Sequence, residues 1–128
     1  QTFRQLRGTL RDVRRYREEK LAGTDIEAVF PLWGRETQEL AREMIAAGLT
    51  AYITCLDPRK MPRELAGRCW DSELISQLPA GVDPCGENGE FHTFAAAGPM
   101  FARPLAVTIG ETIERDGFVF TDALPATA

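Results

Sequence analysis

Residues 79–90 read Pro-Ala-Gly-Val-Asp-Pro-Cys-Gly-Glu-Asn-Gly-Glu, with two prolines and three glycines in twelve positions. No regular helix or strand runs through such a stretch, because proline removes a backbone donor and glycine raises the entropic cost of ordering the chain. A structured loop of that length is uncommon in a small domain unless it has a function. After it the pattern is that of strands, over 91–96, 105–113 and 118–121, the last two joined by a turn at Asp116-Gly117.

Before the loop the periodicity is helical in two places. Leu6, Leu10, Val13, Tyr16 and Leu21 form an apolar stripe, predicting an amphipathic helix over roughly 10–21 that stops at Gly23. Residues 35–47 predict a second helix, with Leu40, Ala41, Met44 and Ile45 on one face and Gly48 as its left-handed cap. Val29 to Gly34 reads as a strand end opening into that helix. Residues 50–56, Thr-Ala-Tyr-Ile-Thr-Cys-Leu, are β-rich and break at Asp57-Pro58. Asp71 is a suitable N-cap for a short helix over 72–78, which Pro79 ends.

With 128 residues, 44% hydrophobic and 27% charged, the chain has enough material for a core without staples, and disorder is excluded. Three cysteines, Cys55, Cys69 and Cys85, cannot all pair within the chain. They form no C-x-x-C, and His92 is the one histidine, so neither a disulfide framework nor a metal site is expected, and a reducing, cytoplasmic setting is. No apolar run approaches the ~20 residues of a membrane helix, so no membrane partner is expected. Residues 1–20 carry a net charge of +4 and the remainder −8. A basic helix on an acidic body could reach for nucleic acid, but arginines interleaved with acidic residues read as a solvated face, and no nucleic-acid partner is expected.

The loop concentrates reactive side chains. Glu87, Asn88 and Glu90 lie on its glycine-punctuated turn, with His92 just beyond, and Gly86 and Gly89 allow positive φ and close backbone approach. Two carboxylates and an imidazole suit proton transfer, or hold a cationic or amine substrate. A polar turn entering a strand can equally be structural. Cys85 precedes His92 by seven positions and is a nucleophile only if the two meet in space. Trp33 reads as core or as a stacking surface for adenine. The Arg59-Lys60 pair reads as a phosphate contact or as an exposed turn.

Four segments together carry a family resemblance: DPCGENGEFHTF at 83–94, FPLWGRET at 30–37, TCLDPRKMP at 54–62 and GPMFARPL at 98–105. Over about 8–125 the chain resembles the C-terminal half of the diphthine–ammonia ligase family, an N-type ATP pyrophosphatase family with a PP-loop nucleotide-binding domain. The resemblance implies an enzyme that activates a carboxylate with ATP, with Mg2+, as an acyl-adenylate, which ammonia converts to an amide. The implied partners are a carboxylate-bearing acceptor, ammonia, and either a second copy of the chain or an N-terminal nucleotide-binding half. Implied catalytic residues are Glu87, Asn88, Glu90 and His92; implied substrate-binding residues are Cys85, Gly86, Gly89, Thr93, Trp33, Arg35 and Thr37.

The family's Ser-Gly-Gly-x-Asp-Ser loop does not occur in these 128 residues. ATP is therefore not expected to bind this chain alone, since backbone amides on such a turn hold the polyphosphate. The expected fold class is α/β: the last helix–strand units of a Rossmann-like (HUP-type) sheet over 1–56, then a small α+β substrate-side subdomain over 57–128. Without preceding strands, an open sheet edge and an apolar face near Ile53 are expected. The expected function is the substrate-recognition half of an amide ligase; the alternative is a non-catalytic ligand-binding or dimerising module derived from it.

Overall fold

A β-rich run following a glycine-capped helix is the nucleus of the architecture, as seen in the computed structural model, which describes residues 13–29 and 34–126. The chain divides into two units, 1–35 and 36–128. In the first, residues 13–21 form helix α1, with an i,i+4 ion pair from Arg14 to Glu18 at 2.7 Å. Gly23 follows at φ +79°. Val13 and Tyr16, members of the expected apolar stripe, are exposed. Among the described residues of this unit α1 is the one regular element. Pro31, Leu32 and Trp33 lie outside the described residues.

In the second unit, α2 (Thr37–Ala46) starts where Glu36 accepts hydrogen bonds from the amides of Gln38 and Glu39. It ends in a Schellman turn: Gly48 adopts φ +98°, its amide reaches Ile45 O, and the Leu49 amide reaches Met44 O. That reversal feeds β1 (Thr50–Leu56). A turn at 57–60 leads to a short 3-10 segment, Arg63–Leu65, and to α3 (Ser72–Ser76), whose cap Asp71 accepts from the Leu74 amide at 2.8 Å. The loop then runs to β2 (Phe91–Ala97), followed by the hairpin β3 (Val107–Arg115) and β4 (Phe118–Pro125). At its turn Asp116 and Gly117 both have positive φ, which a two-residue hairpin of the right twist demands.

The class is mixed α/β, and its four strands form an antiparallel sheet in the order β2-β1-β4-β3. Strand β1, expected to close a Rossmann-like sheet, pairs instead with strands that lie later in the chain. Nor is its edge open near Ile53. Cys55 and Leu56 pair with Phe120 and Val119 of β4, while the segment 67–70 flanks the other half of β1 through Ile53 N to Arg68 O, Gly67 N to Ile53 O and Trp70 N to Ala51 O. Ile53 is fully buried. The expectation failed because later chain, rather than an earlier strand, satisfies the β1 backbone.

The core packs one face of the sheet: Ala51, Ile53 and Leu56 from β1, Phe91 and Val119 from its neighbours, and Ala41, Met61, Leu65, Trp70 and Leu74 from the helices and turns. Among the described residues no helix is long and apolar enough to cross a membrane.

Candidate functional site

Asp83 folds the loop first. Its Oδ1 accepts from the Cys85 amide at 2.8 Å, and its carbonyl accepts from the Gly86 amide at 2.9 Å, closing consecutive tight turns. Gly86 sits at φ +65°, where a Cβ would stand 2.8 Å from Phe91 O, so only glycine fits. The loop then doubles back, and Gly89 donates to Gly86 O.

Glu90 braces this fold from inside. It is 3% exposed; its Oε1 accepts from the Asp83 amide at 3.1 Å and its Oε2 from the Asn88 amide at 3.0 Å. One carboxylate thereby ties both limbs of the loop, a use of an anion that satisfies buried donors. Trp70 Nε1 donates to Pro84 O at 2.8 Å, and Lys60 Nζ to Asn88 O at 3.0 Å. The Asp57 amide donates to Glu90 O, bringing the turn after β1 against the loop.

The loop also docks on the start of α2. Thr37 Oγ1 bonds Asp83 Oδ2 at 3.2 Å, and Cys85 Sγ donates to Thr37 O at 3.5 Å. Burial, with Asp83, Glu87 and Glu36 nearby, pushes the Cys85 thiol up to about 11. A thiol so held is a poor nucleophile at neutral pH.

Glu87 differs from Glu90. It is exposed at the loop tip, and partial desolvation of its carboxyl, then the charges of Asp83 and Glu90, raise its pKa. Asn88 beside it is half-buried. His92 lies on β2 opposite Cys55, one residue past Phe91, whose ring covers Gly86. Strand alternation turns His92 to the other side of the sheet, where it is exposed and its imidazole has no hydrogen-bond partner among the described residues. Thr93 is exposed on the same strand, and Arg35 is exposed just before the cap of α2.

The structure thus gathers Thr37, Cys85, Gly86, Glu87, Asn88, Gly89 and Glu90, and leaves His92 and Thr93 apart. Asp83, Asp57 and Trp70 join the site with no role expected from the sequence, and Lys60, expected as a phosphate contact or part of an exposed turn, donates to the loop at Asn88 O. Asp83 and Asp57 each precede proline, and an Asx-turn from an Asp-Pro step is a signal legible in sequence. Among the described residues, no three His, Cys, Asp or Glu side chains are arranged to hold a metal ion.

An antiparallel α/β domain whose distinguishing surface is a carboxylate-braced glycine loop defines the class. Residues 36–121, which include the whole sheet core and the loop, match the diphthamide synthase C-terminal domain. The chain is 32% identical over 110 residues to the diphthine–ammonia ligase of Rattus norvegicus, covering 81% of this chain and 41% of that protein. With the diphthine–ammonia ligase of Homo sapiens it shares 29% over 110 residues (81% and 41%), and with that of Bos taurus 28% over 117 residues (87% and 44%). The chain belongs to the diphthamide synthase C-terminal domain family, and it spans less than half the length of these relatives.

Proposed function

We propose that this chain is the acceptor-side domain of an ATP-dependent amide ligase, in which an activated carboxylate is attacked by ammonia. The relatives' name, diphthine–ammonia ligase, supports the reaction class. The observation that carries the reading is the division of labour between the loop's two carboxylates. Glu90 is occupied by backbone donors, whereas Glu87 is exposed at the tip with a raised pKa.

At neutral pH ammonia is largely ammonium. An anionic loop attracts it, and it must lose a proton before its lone pair can attack the acyl carbon. A carboxylate of raised pKa is the better base, so Glu87 takes that proton. Attack forms the C–N bond, the leaving group departs with the C–O electrons, and the second nitrogen proton passes to solvent water as the amide forms. Asn88, beside Glu87, orients the acyl oxygen.

The residues present do not suit a nucleotide. Asp83, Glu87 and Glu90 would repel a polyphosphate, and no step through ATP is assigned to this chain. In our proposal ATP and Mg2+ belong to an N-terminal or partner nucleotide-binding half. Three free thiols accord with a reducing, cytoplasmic setting.

The test is Glu87→Gln in a longer protein that carries this domain with a nucleotide-binding half. Incorporation of 15N-ammonium into the acceptor, followed by mass spectrometry, should fall by roughly 10²–10⁴-fold, with ATP binding retained. Unchanged amidation refutes the assignment.

A further inference from the structure

The turn after β1 presents cations to the loop in an unusual way. Asp57 is a buried carboxylate, and it holds Arg59 side-on: Nε donates to Oδ1 and Nη2 to Oδ2, each at 3.0 Å, while the Arg59 amide also donates to Oδ1. The Asp57 side chain is 3% exposed and that of Arg59 77% exposed. A guanidinium has five N–H donors in a rigid plane, so three of them, on Nη1 and the outer side of Nη2, remain directed away from Asp57. This is an exposed fork held in one orientation by Asp57.

Its position matters as much as its orientation. Asp57 donates its amide to Glu90 O, and Lys60 Nζ reaches Asn88 O, so the residues flanking Arg59 are both bonded to the loop that carries Glu87. Residues 21–128 carry a net charge of −8. Against that acidic balance an anionic substrate needs a local cation to settle, and Arg59 is one held in place beside the loop.

We propose that Arg59 is an oxyanion-recognition residue of the loop site, its free edge gripping a carboxylate or phosphate oxygen of the acceptor. Asp57 is the positioning residue that locks the fork. The proposal rests on the acceptor-side reading of the loop. A purely structural Arg59 would serve only to satisfy Asp57 and would have no ligand.

The experiment is a 1H–15N NMR titration of the 128-residue chain with sodium phosphate and, separately, sodium acetate, at constant ionic strength. Concentrations run to roughly 50 mM, beyond the millimolar range of a weak single-ion site. Saturable shifts are expected at the Arg59 Nε–Hε and at the amides of Arg59, Lys60 and Asn88. Response to phosphate alone assigns a phosphate group, and response to acetate assigns a carboxylate. Arg59→Gln should weaken binding by about tenfold or more, because it removes charge and fork together. Arg59→Lys keeps the charge without the fork and should bind more weakly than the parent chain. The proposal is overturned by the absence of saturable shifts with both anions, or by equal affinity in either variant. Such a failure leaves the amidation role of Glu87 to its own test, and failure of that test leaves anion binding at Arg59 measurable.

Discussion

Replacing Glu90 by glutamine keeps the size of the side chain and removes its charge, which isolates the brace. In the parent chain the two carboxylate oxygens each accept a different backbone amide, Asp83 N at 3.1 Å and Asn88 N at 3.0 Å, at a residue only 3% exposed. Glutamine offers one acceptor and sets an NH2 group against the second amide, so one bond is lost and two donors face each other. A hydrogen bond to a charged group contributes about 1.5–3 kcal/mol, and an unsatisfied buried donor costs about 1–3 kcal/mol. These overlap as descriptions of the same loss, so Glu90→Gln should destabilise by roughly 2 kcal/mol and Glu90→Ala, which frees both amides, by roughly 3–5 kcal/mol. Urea unfolding followed by tryptophan fluorescence measures the total. Amide exchange at Asp83 and Asn88 localises it, since both should lose protection before the β1 amides do. Should Glu90→Gln stay within about 0.5 kcal/mol of the parent with both amides still protected, the brace is refuted.

Gly86→Ala places a Cβ 2.8 Å from Phe91 O in a left-handed backbone. It should cost at least ~1–2 kcal/mol, read by thermal unfolding, with the Asn88 amide resonance displaced. Cys85, with its thiol pushed up to about 11, should react with iodoacetamide at pH 8 on the order of 100-fold more slowly than an unperturbed thiol, and Glu87→Gln should speed it. Asp57 is held below its ordinary pKa chiefly by the Arg59 guanidinium. Its stabilisation is therefore present above about pH 4 and lost as pH falls through the folded value, so Arg59→Gln should move the acid limb of the stability profile to higher pH.

Local structure is legible wherever a segment satisfies its own backbone. Gly48 capped its helix and Asp71 capped the next, because both act within four residues. The β1 span 50–56 is legible with its observed bounds, since its β-rich run ends at an Asp-Pro step. Pairing was not legible. Nothing within 50–56 states that its partners are 91–97, 118–125 and the irregular segment 67–70, and the antiparallel order depends on those distant choices. In α1, period 3.6 marks which residues share a face and does not state their burial: Val13 and Tyr16 are exposed.

The loop makes the point for chemistry. Glu87 and Glu90 are the same residue type three positions apart, and composition assigns them one job. Their difference is created by partners: two backbone amides reach Glu90 because the loop folds back on Asp83, and that fold-back needs Gly86 at positive φ over Phe91. Once Glu90 is consumed as a brace, its charge helps raise the pKa of Glu87. The structural acid thereby tunes the exposed one. Such coupling predicts that the Glu90→Gln chain, even where it folds, should show Glu87 titrating closer to an ordinary glutamate. A 13C titration of the Glu87 carboxyl measures it directly, and an unchanged midpoint in a folded variant would show that desolvation and the charge of Asp83 raise the group without Glu90.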